Sequence, residues 1–518
     1  MTAPNDHDAN PKHDRLRTDT LTSSVILLLG FTVVQRTIGL GRGVLFCRWM
    51  TPEALGEWEM VFSFLMLAAP LAVLGIPGSY GRYLEYYRKR GHLRTFLSRT
   101  FLWTVGCTVT VVVAISLAAK PFSRMLFGTP DQAMMVVGLA AVLAALIFHH
   151  TLTSLLAALR LFRVVSVMNF IQSGMFAAVG LGLLLAVPAA SSVLAAYGIG
   201  CVAASVCALC YVWPGLAQTP KATDHLPTTA FWSRLFRFAF FVWLMNVLAH
   251  LFGVVDRYML LHWSGMEPEV ALEQIGHYHS SRIIPLLMIS FCDLLGGTMI
   301  PHFAHDWEMG RRSSVSRSLK LAVKVTAIGM IAFAAAVIAF APVLFNQILG
   351  GKYSAGLAVL PWTLSACLWY GLFTLLESYL FCAERTKLAA TPLAGGLILN
   401  ISLNLVLVPV LGLQGAVIAT AVSTGVCVAA LLLLSAKHGF TLDRGLLLAC
   451  SLPAFVAFGA NGLLIAAVVL TAAAIIPGTL FDRYERLTIH RVVGQAASRV
   501  RARLRRHTIA AEPAGLHT

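Results

Sequence analysis

The chain reads as an all-α polytopic membrane protein of about 14 transmembrane helices, arranged as two six-helix lobes related by pseudo-two-fold symmetry plus two C-terminal helices. Three observations predict this. The 518 residues are 58% hydrophobic and only 12% charged, with a mean hydropathy of +0.77, far from globular averages. Apolar runs long enough to span a bilayer recur from Leu21 almost to Pro477. A loose pattern of Gly, charge and Trp also occurs twice, once at the start of each half.

The apolar runs place helices at 21–48, 55–78, 100–120, 132–158, 165–187, 193–215, 235–263, 273–300, 320–345, 355–382, 389–409, 413–435, 445–459 and 461–479. The chain divides into a disordered cytoplasmic tail (1–20), an N-terminal lobe (21–217), an inter-lobe linker (218–234), a C-terminal lobe (235–440), helices 13 and 14 (441–480) and a basic cytoplasmic tail (481–518). The net charge of +16 raises the question of a nucleic-acid partner. The basic residues answer it, because they cluster between apolar runs, as in Arg88-Lys89-Arg90 and Arg311-Arg312, rather than on a soluble module. Their bias to one side predicts cytoplasmic N- and C-termini and an even number of spans.

Helix 1 carries Gln35, Arg36 and Arg42 among Gly39, Gly41 and Gly43. Arg36 lies too deep to snorkel and is read as lining a polar cavity, whereas Arg42 is divided between cavity and structural roles. Arg48-Trp49 reads as an interfacial anchor. The turn Thr51-Pro52-Glu53 starts helix 2 with acids in its first turn, where the helix dipole favours them. Helices 3 and 4 hold almost no charge, and His149-His150 lack partners at metal-ligand spacing. Ten cysteines are scattered through the apolar runs, and the lone Cys207-x-x-Cys210 is read as buried packing rather than redox or metal chemistry.

The stretch from Phe252 to Pro285 is a hydrophobic hairpin with charges inside it: Asp256, Arg257 and Arg282. Gly253, Asp256 and Trp263 repeat the separations of Gly39, Arg42 and Trp49. Each Trp is followed by a Pro-Glu pair, at 52–53 and 268–269, and then by Gly-x-aromatic, at Gly56–Trp58 and Gly276–Tyr278. This points to duplication, with a parallel repeat about an axis along the membrane normal. Arg42 and Asp256 occupy the duplicated position, an arrangement that suggests a cross-lobe salt bridge. Asp256, Asp293 and Glu377 are the acids read as intramembrane. Asn400 and Asn404, four apart on one helical face, are read as interhelical polar bonds. In the tail, Ile489, Val493, Ala496, Val500 and Leu504 recur at helical spacing among arginines, predicting a basic amphipathic helix lying on the membrane surface.

The Pro-Glu-x-x-Gly-x-aromatic turn, Asp256-Arg257 with Gly276-x-Tyr278, Gly351-Lys352-Tyr353, and Asn400-x-x-x-Asn404 followed by Pro409, Gly412 and Gly415-Ala416 come in this order along the chain. Together they resemble the polysaccharide (O-antigen or exopolysaccharide type) flippases of the multidrug, oligosaccharidyl-lipid and polysaccharide exporter superfamily. The resemblance covers roughly residues 21–440. It implies a non-enzymatic, monomeric alternating-access transporter of a bacterial inner membrane, moving undecaprenyl-diphosphate-linked oligosaccharide for cell-surface polysaccharide biosynthesis. It also implies contact with membrane lipids, partners among polysaccharide polymerases and glycosyltransferases, and no nucleic acid. In the related lipid II flippases, arginines on helices 1 and 8 line the cavity; Arg36, Arg42 and Arg282 stand on comparable helices here.

Guanidinium groups in a low-dielectric cavity suit a lipid diphosphate, because they bind phosphate in a bidentate manner. Arg36, Arg42, Arg257 and Arg282 are therefore the expected substrate-binding residues. Asp256, Asp293 and Glu377 are the coupling or gating candidates; Asp256 either neutralises an arginine or, like Glu377, carries a coupling proton or Na+. No other cofactor or metal is expected. The alternatives are an ion-coupled multidrug exporter of the same superfamily, and a membrane-embedded glycosyltransferase or polymerase. The short extramembrane connections and the absence of a catalytic carboxylate cluster argue against the latter.

Overall fold

In the computed structural model, residues 21–217, 226–476 and 478–491 are described, and among them there are helices and no strands. The 1–20 tail, residues 218–225 of the linker and the tail beyond 491 lie outside the described residues.

The first half comprises α1 (Leu21–Trp49), α2 (Pro52–Ala72), α3 (Tyr80–Lys89), α4 (Leu93–Leu117), α5 (Ala119–Phe127), α6 (Ala133–Ala158), α7 (Phe162–Ala186) and α8 (Ala190–Ala217). The second comprises α9 (Thr228–Trp263), α10 (Pro268–Arg282), α11 (Pro285–Glu308), α12 (Arg312–Pro342), α13 (Ser354–Leu376), α14 (Ser378–Cys382), α15 (Thr386–Leu411) and α16 (Leu413–Lys437), followed by α17 (Arg444–Val456) and α18 (Gly459–Ile475). Among the described residues, eleven helical stretches are long and apolar enough to cross a membrane, and α17 and α18 are shorter apolar helices. The protein is therefore a multi-pass membrane protein.

Local chemistry sets the boundaries. Thr51 caps α2 by accepting from the Ala54 N–H, with Pro52 at the first helical position. Gly128, at φ 77°, ends α5 in the left-handed conformation. The single helix expected at 273–300 is instead two, α10 and α11, which break at Ile283-Ile284. Pro285 lacks the N–H that would continue the ladder, so the break falls just ahead of it.

Within the first half, α1 packs on α7, α7 on α8, and α8 and α4 on α6; in the second, α9 packs on α15, α15 on α16, α16 and α11 on α13, while α17 and α18 lie against α12. The halves meet chiefly where α2 crosses α10, with α2 also against α9. Seven cysteines are buried as expected, but Cys207 and Cys210 are exposed on α8. That face of a spanning helix meets lipid, so apolar surroundings do not require protein burial there.

The C-terminal tail is not wholly surface-lying. Glu485, fully buried, accepts from Lys324 Nζ at 2.9 and 3.1 Å, and Lys324 also lies 2.9 Å from Asp443. Lys320 sits 3.0 Å from the other Asp443 oxygen. The first turn after Asp482 is thereby clamped to α12 and to the start of α17.

Candidate functional site

The contact between the halves is built on glycine. A Cβ placed on Gly56 of α2 would collide with the Leu272 carbonyl of α10, and one on Gly276 of α10 would collide with the Pro52 carbonyl of α2. The two helices thus cross backbone to backbone at the two glycines of the repeated Gly-x-aromatic pattern. Further cross-half contacts lie at the same end of the molecule. Arg48 donates to the Ile348 carbonyl at 2.5 Å, Lys352 to the Arg48 carbonyl at 3.0 Å, and Tyr353 to the Met50 carbonyl at 3.3 Å. His262 Nε2 lies 2.8 Å from the Met125 carbonyl. This end is sealed.

One turn along α2 from Gly56 stands Glu59, buried. Its Oε1 lies 2.7 Å from Arg257 Nε and 3.4 Å from Arg282 Nη1, and its Oε2 lies 2.5 Å from His279 Nδ1. The Arg257 N–H does not point along the short Glu59 contact, which is therefore an ion pair rather than an aligned hydrogen bond. Arg257 also donates to the Gly253 carbonyl and faces Asp256 at 3.8 Å. The Tyr278 ring lies beneath both guanidinium groups, 5.6 Å from Arg257 and 5.2 Å from Arg282. Two carboxylates thus balance two arginines, and protonated His279 would add one positive charge. Glu59 and His279 each stand three residues beyond their glycine, so duplicated positions face one another.

A polar chain continues from this cluster through the second half. Asp256 accepts from its neighbour's backbone N–H at 2.9 Å and from Thr420 at 3.3 Å. Asn400 donates to Thr420 at 3.2 Å, and Asn404 donates to the Asn400 carbonyl at 2.8 Å and to its side-chain oxygen at 3.0 Å. Asp256, Asn400 and Asn404 are all buried. Partners offset the burial of Asp256, of Asn400 and of the Asn404 amide nitrogen, while Asn404 Oδ1 is buried without one.

Beyond the seal, a cavity of about 400 Å³ opens between α1, α7 and α11. Arg36, Arg42, Gln172 and His279 are among its polar lining residues, and no carboxylate is among the lining residues. Arg42 stacks 4.0 Å above the Phe176 ring. Asp293 on α11, exposed, stands within electrostatic reach of Arg36 and Glu377.

Residues 21–280, half of the chain, match the family model described as polysaccharide biosynthesis protein. The chain belongs to the polysaccharide biosynthesis protein family. Among curated proteins none matches it. Its fold is similar to that of the lipid II flippase MurJ in an inward closed conformation, at TM-score 0.66 and 15% identity, over 90% of this chain and 99% of that one. It is also similar to an inward-facing multidrug resistance MATE family transporter of the MOP superfamily, at TM-score 0.61 and 14% identity over 80% and 98%. A third likeness is to a MOP superfamily transporter from Pyrococcus furiosus, described by the reverse polarity of its binding pocket, at TM-score 0.59 and 14% identity over 83% and 98%. What is shared with these three proteins is the fold.

In this family member the four expected substrate arginines separate into two groups. Arg36 and Arg42 line the cavity, whereas Arg257 is buried in the ion cluster and Arg282 is half-buried at its edge. The suggested Arg42–Asp256 bridge is not formed: Arg42 lies over Phe176, and Asp256 is held by Arg257 and Thr420. The bridge between halves runs instead through Glu59, an acid absent from the three read as intramembrane. It went unremarked in the sequence, one residue beyond the Gly56-x-Trp58 pattern. The signal that identifies it is the repeat itself, since Gly56 to Glu59 has the same spacing as Gly276 to His279.

Proposed function

We propose that this protein flips a polyprenyl-diphosphate-linked oligosaccharide across a bacterial inner membrane by alternating access, with both termini cytoplasmic. The observation that carries the reading is the cavity lined by Arg36 and Arg42 without a carboxylate among its lining residues. A diphosphate brings two to three negative charges into a low-dielectric space, and guanidinium groups offset that cost by charge-assisted hydrogen bonds. A cavity for cationic drugs needs the opposite polarity.

The basic run Arg88-Lys89-Arg90 ends α3, at the end opposite the seal, which makes the open side cytoplasmic on the positive-inside rule. In this inward state Glu59 occupies the cations at the seal. His279 belongs both to the cavity lining and to the Glu59 cluster. A diphosphate entering past Arg36 and Arg42 competes with Glu59 for His279 and Arg282, and loosens the contact that holds the far end shut. Substrate binding and gate opening are thereby coupled through one carboxylate. Asp293, which faces both Arg36 and Glu377, is assigned together with Glu377 to coupling by a proton or Na+. Asp256, with its oxygens occupied, is assigned to the fixed polar chain.

The test is transport of a fluorescent lipid-diphosphate oligosaccharide in proteoliposomes by Arg36→Ala, Arg42→Ala and the double variant. Loss of transport with normal membrane insertion is expected. Wild-type rates in the double variant, or efflux of a cationic dye instead, would overturn the reading.

A further inference from the structure

A second cleft, about 500 Å³ in volume, opens at the end opposite the seal and shares no lining residue with the cavity of Arg36 and Arg42. Arg82 and Tyr83 of α3 line one side of it, and Ser233, Arg234, Arg237 and Phe238 of α9 line the other. Helical spacing builds these walls. Tyr80, Leu84 and Tyr87 fall on one face of α3, Phe231, Leu235 and Ala239 on one face of α9, and the two sets are buried in one core. Arg82, Arg234 and Arg237 stand off that core and are exposed.

The arginines are held in place although they are exposed. The Arg82 guanidinium reaches across from the first half to the second and lies 4.9 Å from the Phe238 ring, which Tyr83 meets edge-on at 5.8 Å. Arg234 Nη1 donates to the Tyr86 hydroxyl, which also receives Arg90 Nη1. The Tyr83 hydroxyl donates to the Arg234 carbonyl at 3.4 Å. No carboxylate lines the cleft, and among the described residues none of its three arginines has an acid within ion-pair distance. Glu85, the acid of α3, lies 3.8 Å from Arg88 instead. Three guanidinium groups around one cleft repel each other, and an anion placed between them relieves that repulsion while accepting charge-assisted hydrogen bonds.

Depth indicates where the anion comes from. The apolar span of α9 begins at Phe231, so Arg234 and Arg237 lie in its first two turns. Arg237 precedes Arg257 on the same helix by about 30 Å of rise, close to the thickness of a hydrocarbon core. Phe240, one turn further in, is exposed toward the acyl region. We propose that this cleft binds the phosphate of an anionic membrane phospholipid, gripped by Arg82 of the first half and by Arg234 and Arg237 of the second, with the Ser233 hydroxyl as a further donor. The surrounding leaflet supplies that ligand in excess. The bound phosphate ties α3 to the start of α9 across the two halves, whatever the transporter carries.

The test captures the full chain in detergent from mixed micelles holding equal phosphatidylglycerol and phosphatidylcholine, and measures the retained lipids by mass spectrometry. Phosphatidylglycerol is expected to be retained at least about tenfold over phosphatidylcholine. Each arginine beside an anionic head group contributes about fivefold, so Arg82→Gln and Arg237→Gln should each lower retention by that factor and the double variant by more. Arg88→Gln makes the same charge change on α3 outside the cleft, beside Glu85, and should leave retention unchanged. Equal retention of the two lipids, wild-type retention in the double variant, or an equal loss in Arg88→Gln would overturn the proposal. Release of phosphatidylglycerol by inorganic phosphate, but not by chloride of equal ionic strength, would also overturn it and give the cleft to a soluble anion.

Discussion

Substituting Glu59 by Gln leaves the size of the side chain intact and removes the charge that Arg257 and Arg282 share. Glu59 and Arg257 are both buried, 2.7 Å apart, and removing one member of a buried pair costs about 3–5 kcal/mol. Asp256, 3.8 Å from Arg257, retains part of the compensation, which places the cost near about 3 kcal/mol. These contacts join α2 to α10, so the loss falls on the sealed state and not on a state in which the two helices have parted. At 1.4 kcal/mol per tenfold, the sealed-to-parted ratio should fall about 100-fold. Leu272 is buried at the seal, and a Leu272→Cys reporter reacts with a membrane-impermeant maleimide only when the halves separate. Faster labelling is expected in the Glu59→Gln background, with a smaller rise for Arg282→Gln, whose contact is longer and half-exposed. An unchanged labelling rate in correctly inserted Glu59→Gln protein would refute the idea that this carboxylate holds the gate.

Other outcomes follow from the same geometry. Gly56→Ala and Gly276→Ala each place a methyl group against backbone that cannot move aside; both should raise Leu272→Cys labelling and lower transport while the protein still inserts. Arg42→Lys keeps the charge but loses the planar stack on Phe176; transport should fall several-fold, less than for Arg42→Ala, as measured in proteoliposomes. Lys324→Met strands fully buried Glu485 and should cost about 3–5 kcal/mol, visible as a lower Tm. Burial alone would raise the Asp443 carboxyl, but hydrogen bonds from Lys324 and the Leu446 N–H, and from Lys320, hold it below its ordinary value. Its stabilising contribution is thus complete above the unfolded carboxylate range near about pH 4 and is lost as pH falls through the lower folded value. Melting temperature against pH should show this acid loss in the wild type and a smaller one in Asp443→Asn.

The helices were legible because a membrane span announces itself by length and hydropathy, and each expected apolar run overlaps a helix among the described residues. The break before Pro285 was hidden by continued hydropathy across Ile283-Ile284. The repeat located the seal: Gly56 and Gly276, recognised as equivalent in sequence, meet in space. What spacing along one chain does not carry is the rotation of one half against the other. For that reason Arg42 and Asp256, equivalent in sequence, do not touch, while Glu59 and His279 do. The sorting of arginines into cavity and cluster follows from the same rotation, since Arg36 and Arg257 look alike as isolated intramembrane charges.

The meeting of Glu59 with His279 has a consequence for how such a molecule can be built. Positions on a two-fold axis in two identical subunits must each face their own copy. A dimer of two first halves would set carboxylate against carboxylate at the closed gate, and two buried like charges repel. A dimer of two second halves would gather His279 and both arginines of each copy with no Glu59 to answer them. Only a single polypeptide whose halves are free to differ can place an acid opposite a base at that point. The charge-matched lock is therefore a property of the fused chain, and neither half could close on a duplicate of itself.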